Sequence, residues 1–244
     1  MKAVILAAGI ASRLRPLTNN TPKCLLKVGS KNILELTIEN LIANKIFEIV
    51  IVTGYLENQI RDFTNKRFPG LNITFYYNEF YESTNNIYSL WLARHAFHDD
   101  DMLLLDSDIV FEKQIIEKLC SSGYKNCLAL KRHNVLDEEI KVRTDPDGRV
   151  LEISKEVNPS EATGESVGIE IFNRELLKEL FKVIDHKVNI EKNVNQFYEA
   201  AFQELINYNQ DIYIVDITEY FCTEIDTAED LKFAGEQYYK LKRT

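Results

Sequence analysis

The chain has 244 residues, 45% of them hydrophobic, with four cysteines and a formal net charge of -9. The length suits one large domain or two small ones, the apolar content excludes a disordered chain, and an acidic surface is a poor platform for nucleic acid, whose affinity rests on phosphate neutralisation. No apolar run is long enough to span a bilayer, and Cys24, Cys120, Cys127 and Cys222 lack metal-type spacing, so the expectation is a cytoplasmic protein with reduced thiols, no membrane insertion and no nucleic-acid partner.

Residues 2–7 read as a buried strand, because Val4, Ile5 and Leu6 form an apolar run suited to cover on both faces. Ala7, Ala8 and Gly9 carry almost no side chain, so something bulky can lie against the backbone there. Arg13, Arg15 and Lys23 follow in one loop. Backbone N–H groups beside fixed cations are what a polyphosphate needs. A dinucleotide-binding turn would want three spaced glycines, and Gly9, Ala11 and Leu14 match one position of three. A secretory signal is disfavoured, since the apolar stretch is short and Arg13 and Arg15 follow at once.

Helical spacing over 33–44, a β-branched run over 48–53, a helix over 56–67 and a strand over 73–77 come next. A helix over 86–96 and a buried strand over 102–106 complete a βαβαβ rhythm. The expected class is α/β, a Rossmann-like mixed, mostly parallel sheet flanked by helices. In such sheets ligands sit beyond the carboxyl ends of the strands, where the first loop and Asp106-Ser107-Asp108 both lie. Magnesium favours one or two carboxylates with phosphate oxygens and water. The plainer reading of the acidic pair is a solvated turn capping a helix near Glu112.

The second half is less regular. Strands near 126–131, 140–144 and 149–153 surround the turn Pro146-Asp147-Gly148 and form a small β-rich subregion. A strand over 166–172, helices over 174–184 and 194–206 and a strand over 212–217 follow. A closing helix over 227–240 has Thr227 as N-cap, with Asp230 three residues on. With no linker or repeat, residues 1–244 read as a single domain.

The run Leu6-Ala7-Ala8-Gly9-Ile10-Ala11-Ser12-Arg13-Leu14-Arg15-Pro16-Leu17-Thr18, followed by Pro22-Lys23, closely resembles the signature loop of the nucleotidyltransferase superfamily that activates sugar phosphates and phosphocholine. One departure matters. Ala11 stands where that family usually has its second glycine, and a Cβ there crowds a triphosphate or opposes a positive φ. The resemblance extends over nearly the whole chain. It implies a mainly nucleotide-binding half, 1–131, and a mainly acceptor-binding half, 132–244. By that likeness Asp108 binds the catalytic Mg2+, and Asp226, in the element Phe221 to Leu231, is its second ligand. The alternative for Asp226 is a cap on the last helix.

Ser83 to Ser89 is similar to the "NN-x-YSL" element of the phosphocholine cytidylyltransferase branch. Amide side chains offer donors and acceptors, as cytosine does, and the likeness selects CTP. The plainer reading makes Asn85 and Asn86 capping and turn residues. The resemblance thus implies that Leu6, Ala7, Ala8, Gly9, Ala11, Ser12, Thr84, Asn85, Asn86, Ser89 and Asp106 hold the nucleotide. Arg13 takes the β/γ-phosphates and the leaving pyrophosphate, and Lys23 bridges the α-phosphate and the acceptor.

Lys155, Glu165, Tyr198 and Glu199 are implied on the acceptor side, with Gly164 and Gly168 allowing close approach. An aromatic face with a carboxylate suits a quaternary ammonium, with Tyr81 or Trp91 as further walls. Phe197 has helical core spacing with Ala201 and Leu205 and is expected in the core. His133 receives no role. The reaction implied is transfer of CMP from CTP to a small phosphomonoester, phosphocholine or a related amino-alcohol phosphate, with pyrophosphate released. Two alternatives stay open: a sugar-1-phosphate nucleotidyltransferase using UTP or dTTP, and a non-catalytic nucleotide sensor, which Ala11 encourages. A homodimer also stays open.

Overall fold

The computed structural model describes residues 1–241. Strand β1 (Lys2–Ala7) is central. The hairpin β2 (Lys27–Val28) and β3 (Lys31–Asn32) follows the long first loop. β1 pairs in parallel with β4 (Glu48–Thr53) on one side and β6 (Met102–Asp106) on the other, and β4 pairs in parallel with β5 (Asn72–Tyr77). A short pair, β7 (Ile109–Phe111) and β13 (Cys222–Glu224), stands apart from the main sheet. β8 (Cys127–Lys131), β9 (Lys141–Thr144), β10 (Val150–Ser154), β11 (Gly164–Phe172) and β12 (Tyr213–Asp216) complete a nine-stranded sheet. β10 and β11 run against their antiparallel neighbours, so seven of the nine strands share one direction. The sheet is mixed and mostly parallel, as the βαβ rhythm predicts.

The strand period of two divides the core. Ala3, Ile5 and Ala7 face one cluster, while Val4 and Leu6 face another. Helices α1 (Ile33–Ala43), α2 (Glu57–Arg67) and α4 (Gln114–Ser121) cover the first face through Leu34, Ile38, Ile60, Ile115 and Leu119. Helices α3 (Asn86–Ala93), α5 (Arg174–Asp185) and α6 (Glu199–Asn207) cover the second through Leu90, Leu180 and Phe202. Helix α7 (Ala228–Leu241) closes a third cluster, in which Ala234 and Tyr238 meet Leu14, Leu26 and Val28. Its start is a reciprocal cap: Thr227 N–H donates to Asp230 Oδ2 at 2.8 Å, and Asp230 N–H donates to Thr227 Oγ1 at 3.1 Å.

Three elements differ from the sequence reading. The segment after Asp108 is strand β7, and α4 starts only at Gln114, so Asp108 caps no helix. α6 starts at Glu199, not 194, which removes the helical register assumed for Phe197. β13 is a strand of three residues, too short to carry a periodic pattern of its own.

Candidate active site

A cavity of about 430 Å³ opens beyond the carboxyl ends of β1 and β6. Leu6, Ala7, Ala8, Gly9 and Ala11 line it from the first loop. A Cβ at Gly9 would meet nothing within 4 Å, so the fold itself asks for no glycine there. At Gly54 a Cβ would lie 2.7 Å from the Ala8 carbonyl and 2.6 Å from Tyr81 Cβ, so the β4 end must be bare for the loops to close. Ala11 does take the left-handed conformation, at φ 53° and ψ 52°. Its carbonyl is held by the Leu14 N–H at 3.1 Å and Thr18 Oγ1 at 2.9 Å. The Cβ therefore does not forbid the positive φ, though it costs about 1–2 kcal/mol. Ser12 is exposed and does not line the cavity, a correction to its expected place, and Arg15 is likewise outside it.

Lys23 organises the centre. Its Nζ donates to Asp108 Oδ2 at 2.6 Å and to Asp226 Oδ1 at 2.9 Å, while Arg13 reaches Asp226 Oδ2 at 2.8 Å. The β7–β13 pairing sets this meeting, continued by Ile225 N–H to the Asp108 carbonyl at 3.0 Å. Burial alone would push the Lys23 ammonium down; the two carboxylates outweigh it and hold it above the ordinary lysine range. Burial likewise opposes the Asp226 charge, but Lys23 and Arg13 hold its carboxyl below its usual value. Burial first, then the charges of Asp108, Glu165 and Asp226, push Glu224 up to about 8. Two carboxylates sharing one cation form an oxygen donor set that fits a hard divalent ion.

The 78–89 segment walls one side. Asn78 fixes it: its Nδ2 donates to Thr84 Oγ1 at 3.0 Å and to Ser89 Oγ at 3.3 Å, and its Oδ1 accepts from the Phe80 N–H at 2.9 Å. Asn85 caps α3 through the Asn86 N–H at 2.7 Å, and Asn86 Oδ1 accepts from the Tyr198 N–H at 2.9 Å. Both amides are structural as the plainer reading holds, yet Thr84, Asn85, Asn86 and Ser89 all line the cavity. The Nδ2 groups of both asparagines stand outside those bonds.

Lys155, Glu165, Phe197 and Glu199 line the same cavity, with Glu138, Glu139 and Ile140. Two expectations reverse here. Tyr198 is fully buried and lies behind the wall, its hydroxyl donating to Asp106 Oδ2 at 3.1 Å and its ring against Phe202. Phe197, assigned to the core by spacing, is 40% exposed and lines the cavity. Trp91 is engaged elsewhere, its indole N–H on Asp185 at 2.9 Å and its ring under Arg94. Gly164 is needed for packing, not for approach by an acceptor: a Cβ would lie 2.5 Å from the Lys131 carbonyl. Gly168, at φ +68°, lines the cavity, and a Cβ there would lie 2.7 Å from Asp106 Oδ2.

Burial, then the charges of Asp108, Glu199 and Glu224, push the Asp106 carboxyl well above the usual range. Burial pushes Glu199 up to about 7, with Lys155 pulling the other way. His133, given no role by the sequence, sets its Nε2 at 2.8 Å from Glu165 Oε2 and 3.7 Å from Glu139 Oε2. No local pattern could have found it, because its partner Glu165 lies 32 residues away on β11. Glu224 and Asn78 were also missed. Asn78 had one signal, a polar residue directly after a strand that ends at the cavity.

Residues 2–219 match the family described as nucleotidyl transferase. The chain belongs to that family. It is 28% identical to the CTP:phosphoglutamine cytidylyltransferase of Campylobacter jejuni, over 97% of this chain and 100% of that protein. It is 29% identical to the choline-phosphate cytidylyltransferase of Streptococcus pneumoniae, over 95% of this chain and 96% of that one. The solved structure of the CTP:phosphocholine cytidylyltransferase from Streptococcus pneumoniae shares the fold with a TM-score of 0.80 at 24% identity, covering 97% of this chain and 98% of that one. No helix among the described residues is long and apolar enough to cross a membrane.

Proposed function

We propose that this nucleotidyltransferase transfers CMP from CTP to a small phosphorylated acceptor with a cationic group, an amino-alcohol phosphate or a related phosphonate, releasing pyrophosphate. The observation that carries the reading is Lys23, held between Asp108 and Asp226 with Arg13 alongside, on the wall of a cavity that also holds the 84–89 amides and Glu199. Two relatives matched along nearly their full length are named as cytidylyltransferases of phosphorylated acceptors of different chemistry, which supports the base more than the acceptor. Gly9 supports close approach of a nucleotide, since nothing in the protein occupies the space above it.

The acceptor oxygen attacks the α-phosphorus in line; that P–O bond forms as the bond to the β-phosphate oxygen breaks. Both reactants are anions, so positioning and charge neutralisation dominate, with no covalent enzyme intermediate. Arg13 draws the β/γ-phosphates and receives the pyrophosphate. Lys23 leaves its carboxylates to sit between the α-phosphate and the acceptor. Asp108 and Asp226 would hold a divalent cation, Mg2+ in our reading, which would supply further neutralisation of phosphate charge. The amides of Asn85 and Asn86 face the base.

The test is pyrophosphate release with Mg2+ and each nucleoside triphosphate against phosphocholine, phosphoethanolamine, aminoethylphosphonate and glucose-1-phosphate. CTP-dependent turnover with an amino acceptor is expected. Turnover with glucose-1-phosphate alone would overturn the roles of Asn85, Asn86 and Glu199, and nucleotide binding without turnover on any acceptor would favour the sensor alternative.

A further inference from the structure

Resting on that acceptor reading, we infer that Glu199 receives a hydrogen-bonding ammonium, one that carries N–H, and that the site discriminates against a quaternary ammonium. Glu199 is only 5% exposed, yet it lines the cavity, and its Oε2 has no hydrogen-bond partner among the described residues. The other acceptor-side carboxylates on the wall are engaged, and Glu170, whose two oxygens are also unmet, is fully buried and does not line the cavity. Glu165 pairs with His133 at 2.8 Å, Glu139 Oε2 accepts from the Leu136 N–H at 2.8 Å, and Glu138 meets Lys155 at 3.5 Å. The large majority of buried polar atoms in native proteins are satisfied, so an unmet oxygen on a residue of the cavity wall suits a donor that arrives with the ligand. An ammonium N–H supplies the hydrogen bond and the countercharge together.

The surroundings also weigh against an aromatic cage. Phe197 and Tyr81 are the cavity-lining aromatics among the described residues. Lys155 Nζ already lies 4.8 Å over the Phe197 ring, and Tyr81 packs at Gly54 on the nucleotide side. Trp91 and Tyr198, the other candidates, do not line the cavity. A trimethylammonium gains from several open aromatic faces, which this end lacks. It also carries no N–H and would leave Glu199 Oε2 unmet. Lys155 over Phe197 shows that this end tolerates ammonium charge, while Glu199 Oε2 stays beyond its hydrogen-bonding reach.

The experiment is a series in which N–H groups are removed one at a time: phosphoethanolamine, its N-methyl and N,N-dimethyl derivatives, and phosphocholine. Pyrophosphate release with CTP is measured for the wild type and for Glu199→Gln, which keeps the side-chain shape. The wild type should prefer phosphoethanolamine over phosphocholine in kcat/KM by about tenfold or more. Glu199→Gln should bring that ratio toward one with the KM for CTP unchanged, which also shows that the variant is folded. Equal or better use of phosphocholine would overturn the inference and leave CTP-dependent transfer standing. If no member turns over, calorimetric titration of the same four compounds into enzyme with CTP decides. Preferential binding of phosphoethanolamine that Glu199→Gln abolishes would uphold the ammonium subsite while the proposed reaction fails. Absence of binding, or binding without preference, would overturn the subsite.

Discussion

Replacing Lys23 with methionine tests the centre of the site most directly. The substitution removes the charge and keeps most of the apolar stem. At 2.6 and 2.9 Å each contact is worth a gross attraction of about 6 kcal/mol at an effective dielectric near 20. Desolvation of the ammonium offsets much of this, and breaking a buried pair typically costs about 3–5 kcal/mol net. The Lys23 side chain is 13% exposed while Asp108 and Asp226 are 26% and 31% exposed, so the lower end, about 3 kcal/mol, applies. Arg13 then remains on Asp226 alone, and its side chain is 68% exposed.

For a chain of this size that loss lowers the melting temperature by about 6–12 °C. Urea unfolding of Lys23→Met and wild type should be followed in EDTA and in millimolar Mg2+. The variant should be less stable in EDTA and gain more from Mg2+ than the wild type, because the metal meets no competing ammonium. Turnover should fall by about 10²–10³-fold. Equal stability of variant and wild type in EDTA would show that Lys23 does not hold the two carboxylates together.

Further substitutions probe the surrounding structure. Ala11→Gly removes a left-handed alanine and should raise stability by about 0.5–1 kcal/mol in urea unfolding, after the entropy cost of glycine. Gly168→Ala sets a Cβ 2.7 Å from Asp106 Oδ2 at a positive φ, and a loss of about 3 kcal/mol with impaired turnover is expected. Asp226→Asn should cut kcat by at least about a hundredfold while the melting temperature moves by only a few degrees, read by steady-state kinetics and calorimetry. Glu199 predicts a pH effect. Its carboxyl sits at about 7 when folded and near 4.5 when unfolded, so the folded state binds the extra proton and stability falls as pH rises between those values. Relative to wild type, Glu199→Gln should therefore gain up to about 3 kcal/mol between pH 4 and pH 8, and a constant difference across that range would refute the burial of an unpaired carboxyl.

Much of this protein is written locally. The Val4-Ile5-Leu6 run predicts the central strand, the alternation of apolar periods predicts parallel strands with helices between them, and the loop from Leu6 to Lys23 predicts a polyphosphate site. These are properties of neighbouring residues; the fold keeps the central strand and its parallel neighbours, and it sets much of that loop on the cavity wall. Asp108 and Asp226 were legible as acidic points by their likeness to a family, but their meeting at Lys23 depends on β7 pairing with β13, a strand of three residues with no signal of its own.

The acceptor end was decided by the tertiary structure. Phe197 and Tyr198 exchanged places because α6 begins at Glu199, so the helical spacing that assigned Phe197 to the core did not apply. His133, in the loop after β8, found Glu165 on β11, and that pairing leaves Glu199 as the acceptor-side wall carboxylate with a buried, unmet oxygen. Apolar period reports which face of an element is buried. Which charges meet on the far side, and which buried oxygen stays unmet, depends on neighbours brought in from distant parts of the chain.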